Sequence, residues 1–197
     1  PYFVVNNGGH LALPALQQIL TESVNRLSIF LASGGTMDLS GLESAVDTTF
    51  DVDATTALSL PSLSSTTDGA FNVASGGGLT APSLLNVARM TFSLTDVGSL
   101  VSFDALESID ESTILVPEGG TWQLPALTSL INSGVTISNG ATLNAPALLT
   151  YSNSTIAPPL RVSGTGTMTA PLLVDITNLL FDIRGGAQVT FPSVTGY

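Results

Sequence analysis

The chain offers few groups that could do chemistry, and most of them are acidic. His10 is its single histidine and cysteine is absent. A Ser-His-Asp triad would have to be built on His10, and no serine sits in a G-x-S-x-G turn. A tetrahedral zinc site needs several Cys or His ligands and meets the same obstacle. Carboxylates are plentiful, with fifteen Asp and Glu against four Arg and no Lys, for a formal charge of -11. Glycoside hydrolysis uses two carboxylates across a groove, and Ca²⁺ takes hard oxygens from several at once. The densest group is Asp38, Glu43, Asp47, Asp51 and Asp53; a second is Asp104, Glu107, Asp110, Glu111 and Glu118. Asp47, Asp51 and Asp53 are the candidate Ca²⁺ ligands, although no loop carries the spaced ligands of a dedicated calcium motif. Solvated charge that keeps a lysine-free chain in solution accounts for both groups without a metal. The arginines (Arg26, Arg89, Arg161, Arg184) are scattered, so a lyase would lack a basic partner for an acidic sugar. The expectation is a non-enzyme without a cofactor, Ca²⁺ being the one alternative.

The charge also excludes partners. Phosphate binding needs a basic stripe that this chain cannot assemble, so nucleic acid is not expected. No apolar run approaches the ~18 residues that span a bilayer, and anionic membranes would repel the chain. Charged residues are 10% while hydrophobic residues are 44%. An ordinary soluble domain carries roughly 25% charged residues, so the surface here must be coated with Ser, Thr, Gly and Asn.

What positions these residues is a repeat. TWQLPALTSL (121 to 130) returns twenty-one residues later as TLNAPALLTY (142 to 151). Aligned on the proline of LPAL, the slots are Pro14, Gly41, Pro61, Pro82, Asp104, Pro125, Pro146, Pro171 and Pro192, separated by 27, 20, 21, 22, 21, 21, 25 and 21 residues. Each unit holds three short apolar segments. The first alternates before the proline, as Leu58 and Leu60 or Trp122 and Leu124 do. The second follows it, as in Leu127 with Leu130, and the third alternates again, as in Phe71 and Val73. Gly-rich turns such as Gly76-Gly77-Gly78 lead back to the first.

Period-two alternation means half-buried strands. Strands this short bury their apolar side only by stacking on the next unit. The expected fold is all-β: one parallel β-solenoid over residues 1–197, right-handed by the crossover rule, with three strands and about 21 residues per coil. It would have about eight full coils and partial coils at both ends, as a segment of a longer array. Neighbouring domains or self-association would cap its ends. Two units are longer, at LTESVNR (20 to 26) and SNSTIAPP (152 to 159), and ALQQILTESVNRL (15 to 27) has a helical period that admits a short helix or capping turn. Asn153-Ser154-Thr155 is a glycosylation sequon in the second, exposed insertion.

At LPALTSL (124 to 130), LPAL (13 to 16) and APALL (145 to 149), the chain resembles the coils of secreted parallel β-helix proteins and receptor L-domain-like repeats. The resemblance covers essentially the whole chain, but its motif is packing grammar, and no catalytic motif of the pectin-degrading members can be matched. It implies an extracellular or cell-surface protein of the adhesin, stalk or glycan-binding kind.

The outward positions then decide function. Thr121, Gln123, Thr142, Asn144, Thr167 and Thr169 form the candidate ligand face. Threonine rows of this kind suggest ice, but Asp38, Ala57, Gly78, Leu100 and Gln123 interrupt them. Most aromatics fall on inward slots, including Trp122, Phe71, Phe92, Phe103 and Phe181, which leaves few platforms for sugars. The expected function is a non-catalytic extracellular structural or adhesive module, a rigid spacer or surface-presenting wall that meets a glycan or protein surface. A carbohydrate-binding or polysaccharide-processing β-helix is the alternative, and ice binding a distant third.

Overall fold

The computed structural model describes residues 1–21, 26–53, 56–94, 97–154 and 159–195. Twenty-six short strands wind as a parallel β-solenoid with three strands per coil, and among the described residues there is no helix. The first face stacks β2 (His10–Ala12), β5 (Thr36–Asp38), β8 (Ala57–Ser59), β11 (Gly78–Thr80), β14 (Leu100–Ser102), β17 (Thr121–Gln123), β20 (Thr142–Asn144), β23 (Thr167–Thr169) and β26 (Gln188–Thr190). The second stacks β3 (Gln18–Leu20), β6 (Ser44–Val46), β9 (Ser65–Thr67), β12 (Asn86–Ala88), β15 (Ser108–Asp110), β18 (Ser129–Ile131), β21 (Thr150–Ser152) and β24 (Asp175–Thr177) as one sheet. The third is a nine-stranded sheet of β1 (Tyr2–Val5), β4 (Leu27–Leu31), β7 (Thr48–Val52), β10 (Ala70–Val73), β13 (Thr91–Leu94), β16 (Thr113–Val116), β19 (Gly134–Ile137), β22 (Leu160–Val162) and β25 (Phe181–Ile183).

Alternation sets the register. Each inward residue lies on its counterpart one coil away: Phe50 on Phe71 on Phe92 on Ile114, and Trp122 on Leu143 on Met168. A one-residue slip would turn every apolar side chain to solvent. Across the core these phenylalanines meet Phe103, which follows β14, and Trp122 of β17, and the five rings form a continuous stack. The rings of Phe50 and Phe71 are 5.3 Å apart, Phe71 and Phe103 5.2 Å, and Phe92 and Trp122 5.3 Å. Such pairs contribute about 0.5–1.5 kcal/mol beyond the area they bury.

Corners stop the strands in two ways. After the first face, Leu60-Pro61-Ser62-Leu63 closes a turn in which the Leu63 amide donates to Leu60 O at 3.2 Å. Proline presets the backbone for the position it holds there. The register corrects one slot of the repeat. Because Ala12 pairs with Asp38, the residue under Pro14 is Ser40 and not Gly41. Gly41 takes the next position, where a Cβ would stand 2.2 Å from Pro14 O. Its missing side chain is therefore demanded by close backbone approach, one residue past the proline slot.

Between the second and third faces, six coils turn through one left-handed residue among the described residues. These are Asp47, Asp68, Arg89, Glu111, Asn132 and Asn178, with φ from 46° to 61°. Asn and Asp tolerate this region best. The next residue points inward and is polar more often than the apolar pattern suggests: Thr48, Ser112 and Ser133 are buried there. The helical period of residues 15 to 27 is overruled. Gln18–Leu20 is a strand because it has a second-face neighbour to pair with; residues 22–25 lie outside the described residues.

Candidate functional site

The acidic groups are distributed along the rod. Asp47 occupies a left-handed corner and is 9% exposed, Asp51 faces outward from β7, and Asp53 follows that strand at the next corner. Asp51 accepts a hydrogen bond from Asn72 Nδ2 at 2.7 Å. In the second group Asp104 accepts from Ser102 Oγ at 2.7 Å, and Glu111 reaches Arg89. Among the described residues no three His, Asp or Glu side chains are grouped as a metal would require. His10 lies on β2 with Nδ1 2.8 Å from Thr36 Oγ1, a surface contact between coils.

Arg89 is the exception to dispersal. Its Nε and an Nη meet both oxygens of Asp68 at 2.5 and 2.6 Å, and it reaches Glu111 at 3.7 Å. The fork hydrogen bond holds the Asp68 carboxyl below the usual carboxylate range, against the opposing effect of desolvation. This trio links three successive coils across a corner and is structural. Arg161 and Arg184 flank Asp182 at 3.6 and 2.6 Å in a shallow concavity of about 340 Å³ with Thr136 and Ser163. Each arginine there shares the same exposed carboxylate.

The first face brings the six candidate ligand residues together. Thr121, Thr142 and Thr167 form one outward column, and Gln123, Asn144 and Thr169 the other, across the sheet β17-β20-β23-β26. Thr142 and Thr167 hydroxyls are 3.1 Å apart, and Asn144 Nδ2 donates to Gln123 Oε1 at 2.8 Å. The nine strands of this face each turn their first and third residues outward. Among the described residues of the face, Asp38 is the only carboxylate so placed, although the chain has fifteen. Its carboxyl is held low by hydrogen bonds from Ser40.

The same face is not continuous. It divides into β2-β5, β8-β11-β14 and β17-β20-β23-β26. The division between β14 and β17 falls where the inward slot changes from Val101 to the much larger Trp122. The corner from Leu94 to Leu100 also takes one residue more there than Val73 to Gly78 or Val116 to Thr121. Val101 is only half-buried, whereas Leu58, Leu79 and Trp122 in equivalent slots are at most 1% exposed. Beside it Leu100 is 72% and Val97 67% exposed. Over β8, β11 and β14 lies a concavity of about 430 Å³ lined by Ala57, Gly78, Leu100 and Val101 and by the hydroxyl residues Ser59, Thr80 and Ser102, with no charged group.

The sequon is not where the sequence placed it. Asn153 is 2% exposed, its Nδ2 points to Asn178 O at 3.4 Å, and Asn178 Nδ2 returns a bond to Asn153 O at 3.0 Å. It is a buried corner residue; residues 155–158 of the insertion lie outside the described residues. Comparison with protein-family models, curated proteins and solved structures returns no match.

Sequence reasoning missed the concavity because it scored the outward rows as broken threonine columns. The signal was available: Ala57, Gly78 and Leu100 are successive members of one column, two small residues followed by a large apolar one.

Proposed function

We propose that the chain is a non-catalytic structural or adhesive module that works outside the cell or at its surface, with the first face as its contact surface. The observation that carries this reading is the near absence of charge on that face in a chain of net charge -11. Among the described residues most carboxylates lie at the corners, with Asp110 and Asp175 on the second face and Asp51 and Asp182 on the third, and this charge keeps the rod in solution. A face almost free of them can approach another surface without the large cost of desolvating carboxylates, and its hydroxyls and amides can re-form their hydrogen bonds there. The nine-stranded third sheet supplies stiffness, and at the strand spacing it makes a rod on the order of 40 Å long.

Adsorption on a neutral hydroxylated surface, followed by quartz-crystal microbalance, tests the reading. Thr142→Glu with Thr167→Glu should abolish retention, whereas Thr136→Glu on the third face should leave it intact. Equal retention of all three proteins would refute the assignment of this face.

A further inference from the structure

The first face departs from its own regularity at one place, and departures of this kind mark sites where something other than folding sets the sequence. At β11 the outward slot is Gly78, half-buried, and a Cβ built there would meet nothing closer than the Ala57 Cβ at 3.6 Å. The backbone does not demand glycine at this position, and a side chain would fit. One strand further, at β14, the same column carries Leu100, 72% exposed. A hole and a knob of matching chemistry are therefore adjacent in one column, one strand spacing apart. They occupy the fourth and fifth of the nine strands of the face, at its middle.

We propose that this face pairs with a second copy of the chain through a two-fold axis that lies along the strands between β11 and β14. The inference rests on the reading of the first face as a contact surface and names its partner. Such an axis sets the two rods antiparallel and keeps each column over its own symmetry mate. It lays Leu100 of each copy into the Gly78 hole of the other, an isologous contact in which the same pair is made twice. Thr80 and Ser102 then face one another across the axis, a hydroxyl against a hydroxyl. The charge pattern permits this approach and discourages others. The lining has no ionisable group, and the axis places the two Asp38 carboxylates at opposite ends of the contact. Pairing through the third face would instead bring the Asp51 carboxylates into the contact, together with the Asp182 that Arg161 and Arg184 flank. Strand spacing and rise make the whole face about 400 Å², half of the roughly 800 Å² per partner of a standard interface. At about 800 Å² in total, below the roughly 1,000 Å² of a stable interface, the pair is a weak and transient one.

Sedimentation equilibrium over a concentration series tests this on the intact chain. The wild type should shift from monomer to dimer as its concentration rises. Leu100→Asp and Gly78→Val, one removing the knob and the other filling the hole, should each weaken association by about tenfold or more. The exchanged variant Gly78→Leu with Leu100→Gly should restore it, because the knob and hole have merely changed places. Thr136→Asp is the control for net charge alone. Since the chain has no cysteine, a Gly78→Cys protein mixed with a Leu100→Cys protein should form an oxidised heterodimer that neither forms alone. Circular dichroism confirms that each variant folds. A wild type that stays monomeric at every concentration, or a Thr136→Asp variant that dissociates as fully as Leu100→Asp, overturns the dimer. If retention on the neutral surface still depends on Thr142 and Thr167, the contact-surface reading survives that result and only its partner falls.

Discussion

Ser112 donates its backbone amide to the hydroxyl of Ser133 in the next coil, 3.0 Å away, while its own hydroxyl accepts the Met90 amide at 3.0 Å. Each hydroxyl then donates back to its own strand, Ser112 Oγ to Asp110 O at 2.6 Å and Ser133 Oγ to Ile131 O at 2.7 Å. Left-handed corners strand an amide on the inside, and this buried chain of serines satisfies it. Ser112→Ala or Ser133→Ala leaves one such amide unpaired and should cost about 1–3 kcal/mol. Urea unfolding should show the loss with an unchanged slope, and exposed Ser62→Ala should stay within about 0.5 kcal/mol. The double variant should come close to the sum, because the bond between the two coils is donated by the Ser112 backbone and survives Ser112→Ala, so each substitution orphans a different amide.

Tyr151 makes the rod sensitive to alkali. Its hydroxyl donates to Ser133 O at 3.0 Å, and burial pushes the phenol above its ordinary value of 10.0. The folded state favours the neutral ring, so its contribution is intact below the ordinary value and is lost as pH rises beyond it. Tyr151→Phe should cost about 1 kcal/mol at neutral pH, from the lost hydrogen bond. It should also flatten the fall in melting temperature above about pH 10.

Asp68 acts in the opposite sense. Arg89 holds its carboxyl below the ordinary 3.8, so the ion pair stabilises the fold above that value and the benefit disappears as pH falls through the folded value. Asp68→Asn should lower the melting temperature slightly at neutral pH and leave the acid limb shallower than in the wild type. Both partners are at the surface, so about 1 M salt should erase most of the difference.

Trp122 is 1% exposed and closes the aromatic stack above Phe92 and Phe103. Trp122→Ala should cost about 3–5 kcal/mol in chemical denaturation. Trp122→Phe should cost much less, since it keeps a ring in the stack and removes a buried indole N–H for which no described residue is a partner.

Asn153 gives the sequon a structural reading. Asn153→Gln should destabilise the corner it shares with Asn178, visible as a lower melting temperature. A glycan acceptor on a free loop would show no such change.

The strand order, three-fold coil and inward ladders were legible because alternation is a local signal that the repeat writes nine times over. Phe50, Phe71 and Phe92 fall in one column for the same reason that Leu58 and Leu79 do. The candidate ligand residues Thr121 to Thr169 were placed correctly on one sheet by that register alone. Legibility failed where a residue's role depends on the neighbouring coil. Ser40 was passed over for Gly41 because glycine resembles a turn residue, whereas the deciding fact is the distance from Gly41 to Pro14 O. The roles of Ser112 and Ser133 leave no local signal because their partner amides belong to other coils. Asn153 looked exposed because the insertion after it does. The concavity at Gly78 needed the height difference between adjacent strands, which no single repeat contains.

The direction of the ladders has a mechanical consequence. Every inter-strand hydrogen bond runs along the rod, so tension applied at its two ends loads the bonds of one coil at a time. The chain should peel and not shear. Single-molecule pulling should give a train of low, evenly spaced ruptures, each releasing about 70 Å of chain for the roughly 21 residues of a coil. Under load the rod should lengthen in increments, each opened coil leaving the next to take up the tension.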